Sequence, residues 1–441
     1  MAEVIPFKGY RYNQDLIEKL ADVMAPPYDV ISPQEQAELY QRHPNNVIRL
    51  ILGQQRQGDD HNENTYTRAR THLYQWIENH ILVRDAQPNF YLTRLEFKVD
   101  DRLVTRYGLM GLVGLRPFSD NVVLPHEHTF SKVKSERLRL MKTTNANLCP
   151  IFGLYADQEG QMDALQRSLV SGRSADMELY DESNFRHQLW CLNDPQSLAR
   201  ITTFFNSQKI YIADGHHRYE SALNYREWVK SNTSDFSDAH PTNFVMMSLC
   251  SMHDAGMVIL PAHRLLHSVP KASLLQLKEQ AGQFFDVIEI DIAQGLGSGL
   301  PQAQKVLDWN SKDNAIGFIA GDPGLLWVLL LKKGVMDELF SQEIAAPLRD
   351  LDVTVVTQLI LMKLLGLEQS DLDDEHRIVY CTSAREAAAS VADGSVDAAF
   401  ILNPTRIEQV QRISEFGLTM PRKSTYFFPK VISGQVFNIL E

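Results

Sequence analysis

The chain contains no apolar run near the length of a membrane span, and its first residues, MAEVIPFKGYRYN, lack the apolar core of a secretory signal. Neither a membrane partner nor export is expected, and the cytoplasm is the expected compartment. Cysteine is scarce and dispersed: Cys149, Cys191, Cys250 and Cys381 show no close pair and no metal-ligand spacing, which argues against a disulfide framework and against a zinc finger. Positive charge is also short, with 43 Lys and Arg against 55 Asp and Glu, a formal net charge of −12. Nucleic-acid binding through the phosphate backbone needs the opposite sign, so a nucleic-acid partner is not expected, while a local basic pocket remains compatible. No internal repeat or low-complexity tract stands out.

What remains is a soluble globular composition, 44% hydrophobic and 22% charged, on 441 residues, too many for one ordinary core. Three regions are expected: an amino-terminal α/β domain over 1–155, a central region over 156–270 and a carboxyl-terminal α/β domain over 271–441. Helical spacing of Leu16, Ile17, Leu20, Val23 and Met24 predicts a helix stopped by Pro26-Pro27. Ser32-Pro33-Gln34-Glu35 then opens another, with Ser32 as cap. Residues 46–52 read as a strand, 66–81 as an amphipathic helix, and 90–99 and 103–115 as antiparallel strands. Gly108, Gly111 and Gly114 in the last of these predict a bulge or a close backbone approach. Further on, 246–250, 257–260, 315–320 and 325–331 read as strands and 348–365 as one long apolar helix. Residues 378–402 read as a β-α-β unit. The fold class is therefore mixed α/β (α+β): mixed sheets with flanking helices.

The most informative stretch is KIYIADGHHRYESAL, residues 209–223. A short apolar strand ends in Asp214-Gly215-His216-His217-Arg218, and a helix follows. Unpaired amides at a helix start attract anions, Gly215 allows close approach to the backbone, and His216, His217 and Arg218 add donors. A phosphate or carboxylate suits such a turn. The competing reading is that Asp214 only caps the helix and the histidines are solvated.

Two other segments carry candidate chemistry. In LPHEHTF, 124–130, His126-Glu127-His128 precedes a helix bearing Lys132, Lys134, Arg137, Arg139 and Lys142, which could supply a base and cations at one site or form a solvated face. In MPRKSTYFFPK, 420–430, Lys423-Ser424-Thr425 sets a cation and two hydroxyls between prolines, an arrangement suited to phosphate oxygens. It lacks the glycines of a Walker A loop, and residues 425–428 alternatively read as a strand that closes a sheet.

Together APPYDVIS, HPNNVIRL, LPHEHTF, ANLCPIFGLY, ADGHHRYESAL and MPRKSTYFFPK, spread almost end to end, resemble the domain of unknown function 1015 family. The DGHHR turn in addition resembles the phosphate-binding turn of the ParB and sulfiredoxin superfamily, which includes free-serine kinases. That resemblance implies a phosphate-binding strand-turn-helix with additional α/β segments around it. Sulfiredoxin's reactive cysteine is absent from the turn, where His216 and His217 stand, and no ParB-like DNA-binding helical region is evident.

The implied activity is phosphoryl transfer from a nucleotide (ATP or ADP) or pyrophosphate to a small hydroxylated metabolite, with free serine the first candidate. Gly215, His216, His217 and Arg218 would hold the donor, with Lys423, Ser424 and Thr425 assisting. Glu127 or Asp214 would serve as base, with Asp29 a further candidate and His216 or His217 the acid or nucleophile if the reaction is hydrolysis of a phosphate ester. Magnesium commonly accompanies polyphosphate donors, but the sequence shows no ligand set for it. A non-catalytic sensor of a phosphorylated metabolite or nucleotide is the alternative from another class.

Overall fold

The computed structural model describes residues 1–99, 102–129, 131–292, 299–309, 314–321 and 324–440. These form two compact units: one of 1–125, 129–258 and 429–441, the other of 126–128 and 259–428. Phe130 and the side chain of Lys132, both within the segments singled out above, lie outside the described residues.

The first unit is built on a nine-stranded mixed sheet. Its path runs Val123–Leu124, Ile210–Asp214, Ile151–Tyr155, Phe244–Ser251, Arg102–Gly114, Phe90–Val99, Arg186–Leu192 and Met177–Tyr180, with Val4–Ile5 paired to Arg102–Gly114. Strand alternation divides the core into two layers. Tyr91, Met110, Leu112 and Met246 join one apolar cluster, and Phe90, Leu92, Leu109, Val113 and Val245 the other. A sheet covered on both faces accounts for strands that are apolar at nearly every position, such as Ile151–Tyr155, buried throughout. The expected antiparallel pair is present, with Tyr91 opposite Met110 and Val99 opposite Arg102. The closest neighbours of its glycines are side chains rather than another backbone: a Cβ on Gly108 would lie 2.7 Å from Thr93 Oγ1, and one on Gly111 2.8 Å from the Phe90 ring.

The second unit holds a six-stranded sheet in the order Phe285–Asp291, Leu325–Leu331, Ala315–Ala320, Ala398–Ile401, His263–Leu266, Ile378–Cys381. One face is closed by Leu265, Val328, Ala399 and Ile401 packing against Leu307 and Ala387 of the helices Gly299–Trp309 and Ala384–Ala392.

Local patterns misled in three places. Residues 46–52 contain the short helix Ile48–Ile51 instead of a strand. The Asn46 side chain accepts the Ile48 amide at 2.9 Å and donates to the Asp22 and Met24 carbonyls, while Ile48, Leu50 and Ile51 are all buried, so no exposed face reveals the period. The helix expected over 16–24 reduces to a 3₁₀ turn at Leu20–Val23, and just after it Ala25 makes a two-way backbone pairing with Ser433. The apolar run 348–365 is interrupted near Asp350, whose carbonyl accepts from the Asn314 and Gln409 side chains, and continues as a π-helix, Val355–Leu364. Within 378–402 the expected strand, helix and strand are present at Ile378–Cys381, Ala384–Ala392 and Ala398–Ile401, the two strands running parallel with one strand between them. His263–Leu266 lies between them and pairs antiparallel with both.

Among the described residues no helix is long and apolar enough to cross a membrane.

Candidate functional site

The strand Ile210–Asp214 runs into Gly215 and then the helix His216–Asn232. Gly215 has φ +97°, a left-handed conformation that a side chain would strain, and a Cβ there would meet the Arg218 guanidinium at 2.9–3.0 Å. Gly215 is also the N-cap of this 17-residue helix and offers its first amides no side-chain acceptor. Asp214 therefore does not cap the helix, and its carboxylate does something else.

One of its oxygens, Oδ1, accepts from Lys430 Nζ at 2.7 Å, and the other, Oδ2, pairs with the Arg218 guanidinium. The three side chains are 11–14% exposed, so the pairs are largely shielded from solvent. Burial alone would raise the Asp214 pKa, but the charges of Lys430 and Arg218 outweigh it and hold the carboxyl well below the usual range. Such a carboxylate, with both oxygens engaged, is a poor proton acceptor and a good anchor for two cations. Arg218 also donates to the Pro150 carbonyl. Its Nε is buried without a hydrogen-bond partner beside Gly215.

Asp29 belongs to the same neighbourhood. It lies in the 3₁₀ turn Tyr28–Val30 and is exposed along one side. Protein packed about its carboxyl raises the pKa, the charge of Asp214 adds to the rise, and Arg218 and Lys430 oppose it. Tyr28 beside it is pushed up to about 12 by burial, and the Arg137 guanidinium stands 4.0 Å from the centre of its ring. Tyr28, Arg137, Cys149 and Arg218 help line a cavity of about 50 Å³, room for water and not for a metabolite.

A carboxylate with a raised pKa destabilises the fold when it ionises. Asp29→Asn is therefore expected to melt above the parent at pH 7. The gap should close as the pH falls below about 4, where the parent's carboxyl is protonated in both folded and unfolded chains. A variant that melts below the parent at neutral pH would show that the carboxylate is held by favourable contacts.

His216 is buried, and His217 is half-buried with its imidazole lowered below the usual range by desolvation, Glu220 opposing. The basic helix, Ser131–Thr144, is largely engaged within the first unit. Lys134 pairs with Glu220 at 2.6 Å, Arg137 NH1 donates to the Ile51 carbonyl, and Arg139 and Lys142 lie over Tyr66 and Trp228. The loop before this helix is tethered at both ends: Leu124 pairs with Tyr211 of the Ile210–Asp214 strand, and Thr129 Oγ1 donates to Glu220 at 2.6 Å.

Glu127 itself, with His126 and His128, belongs to the second unit. There Glu127 bridges to Met420, His126 Nε2 meets Thr425 Oγ1 at 3.1 Å, and His128 Nε2 bonds Thr419 Oγ1. Lys423, Ser424 and Thr425 are in that unit too. The Ser424 hydroxyl donates to the Pro421 carbonyl, and the Lys423 carbonyl accepts from Arg264. The residue of MPRKSTYFFPK that joins Asp214 is its last, Lys430, which sequence reasoning passed over in favour of 423–425. A lysine directly after Pro429 and before Val431-Ile432 was the available signal: an isolated cation in an apolar context needs a counter-ion.

Both oxygens of Asp214 already bond cations, and among the described residues no three His, Cys, Asp or Glu side chains gather to hold a metal.

A family profile described as protein of unknown function (DUF1015) matches residues 4–354. Among solved structures, a free serine kinase in complex with AMP is 12% identical with a TM-score of 0.35, the match covering 73% of this chain and 89% of that one. A conserved hypothetical protein from Pyrococcus furiosus is 14% identical with a TM-score of 0.33, over 73% of this chain and 92% of that one. SbnI with a C-terminal truncation, from Staphylococcus aureus, is 11% identical with a TM-score of 0.32, over 74% and 86%. A search of curated proteins gave no match. Likeness of this degree assigns no activity.

Proposed function

The chain belongs to the DUF1015 family, and for this member we propose phosphoryl transfer to a small hydroxylated metabolite, with the Asp214–Arg218 turn as the donor's phosphate site. One observation carries the reading: an ionised Asp214 holds Lys430 and Arg218 beside the glycine that opens a 17-residue helix. Two cations and a helix start without a side-chain cap converge on one place, and the dipole of a helix that long adds to their attraction for an anion.

In the proposed step the acceptor's hydroxyl oxygen attacks the terminal phosphorus of the donor. The new oxygen–phosphorus bond forms as the bond to the bridging oxygen breaks, and the hydroxyl proton passes to a carboxylate. Asp214 is excluded from that role by its engaged oxygens and low pKa. Glu127 is assigned the base, and Asp29 is the substitute to examine. Free serine is the acceptor to try first, as the resemblance of the DGHHR turn suggests, and ATP, ADP and pyrophosphate are the donors.

Purified protein incubated with each donor, with and without serine or other hydroxylated metabolites, would be followed by phosphorus NMR. A new phosphomonoester signal that needs the acceptor supports the kinase reading. Release of inorganic phosphate regardless of acceptor would replace it with a hydrolase, and saturable donor binding without turnover with a sensor.

Calorimetry separates the phosphate site from the chemistry. Arg218→Ala is expected to weaken donor binding by roughly 10-fold or more, the scale of a lost charge-assisted contact. Equal affinity in variant and parent would remove Arg218 from the site.

A further inference from the structure

The second unit contains a cavity of about 540 Å³, within the range of small-molecule sites and lined entirely by that unit's residues. Its wall includes Arg264, Thr354, Gln358, Leu361 and Tyr380. Arg264, on the interior strand His263–Leu266, is 2% exposed. Its guanidinium donates to the Ala262 and Lys423 carbonyls and lies 5.3 Å from the centre of the Tyr380 ring, and among the described residues no carboxylate is ion-paired with it. Its direct contacts are carbonyl dipoles and an aromatic face, and the one carboxylate that acts on it, Asp352, does so at longer range, so it has no contacting counter-ion.

A second, independent observation lies on the same wall. Thr354 is 3% exposed, and its Oγ1 is buried without a hydrogen-bond partner. Buried hydroxyls are ordinarily satisfied, so an orphan lining a cavity points to a missing acceptor or donor. Thr354 directly precedes the π-helix Val355–Leu364, in which the Leu365 amide reaches back to the Ile360 carbonyl. Widened helices of this kind are frequent at functional sites. The carboxylates of the lining, Glu343 and Asp373, belong to exposed residues, so the deep charge of the cavity is positive.

We propose that this cavity binds a small organic carboxylate with an apolar body, its carboxylate on Arg264 and the Thr354 hydroxyl and its carbon skeleton against Leu361 and Ile378. An apolar acid is chosen over phosphate because Ile344, Leu348, Leu361, Leu372 and Ile378 line the cavity beside its polar groups and give a carbon skeleton a surface to bury, which inorganic phosphate cannot use.

The test is isothermal calorimetry on the full chain with 4-methylpentanoate, L-leucine and inorganic phosphate. Saturable binding of 4-methylpentanoate or L-leucine, with a Kd of about 1 mM or tighter, is expected. Arg264→Lys keeps the charge but loses the fork, and should weaken that binding at least about 10-fold. Thr354→Val keeps the shape and removes only the hydroxyl. It should weaken binding several-fold while melting at or above the parent's temperature, a combination that a structural role for the hydroxyl would not give and that holds even if Arg264→Lys fails to fold. No saturable binding of either carboxylate, binding of phosphate alone, or carboxylate binding unchanged in Thr354→Val would overturn the proposal. None of these readouts depends on turnover, so the outcome is separate from that of the phosphotransfer reading.

Discussion

Asp214→Asn is expected to destabilise the first unit by about 3–5 kcal/mol, the usual cost of breaking a buried ion pair by removing one partner. The variant retains the size of the side chain and one acceptor oxygen, but Lys430 and Arg218 are left largely buried with no negative charge between them. At about 2–4 °C for each kcal/mol in a unit of this size, the unfolding transition should move down by roughly 6–20 °C. The pH dependence has a definite sign. A carboxyl held below its unfolded pKa contributes stability at neutral pH, so the gap between parent and variant should begin to narrow only as the pH falls below about 4 and close only where the folded carboxyl itself protonates, well below the usual carboxylate range. Removing the stranded cation as well, in Asp214→Asn with Lys430→Met, should recover part of the loss. Thermal melts of the parent, Asp214→Asn, Lys430→Met and the double variant give the coupling directly. An unchanged melting temperature in Asp214→Asn at pH 7 would mean that the three charges do not act as a unit.

The strand-turn-helix at Asp214 was legible in the sequence because three signals agree there: an apolar run too short for a helix, a glycine, and helical spacing afterwards. The function of Asp214 was not legible, because its strongest partner stands 216 residues away at Lys430. Local patterns report the period of an element and its caps, whereas a pairing across the chain is fixed by packing. The same limit explains the second sheet, where His263–Leu266 enters between two strands that look like neighbours in sequence. Where every residue is buried, as at Ile48, Leu50 and Ile51, even the period disappears. Lys134, Arg139 and Lys142 show the opposite error: cations that read together as a possible phosphate cradle are each engaged by a carboxylate or an aromatic face.

The second large effect is expected at Glu127. Leu124 and Thr129, on either side of its loop, bond the strand that ends in Asp214 and the helix that begins at His216 within the first unit, while Glu127 itself belongs to the second. Glu127→Gln preserves shape and most hydrogen bonding but cannot accept a proton. If Glu127 is the base, turnover in the phosphorus NMR assay should fall by roughly 100-fold or more, while the melting temperature and donor affinity stay close to the parent's. The split between turnover and affinity is the decisive feature, since a carboxylate that only orders the loop would change both. Asp29→Asn run alongside assigns the role by comparison. Its loss of turnover should be small if Glu127 takes the proton, and a reversal, with Asp29→Asn inactive and Glu127→Gln near the parent, would move the base to the 3₁₀ turn Tyr28–Val30. A large drop in the melting temperature of Glu127→Gln would instead make the His126-Glu127-His128 loop a structural hydrogen-bonding element, consistent with its bridge to Met420.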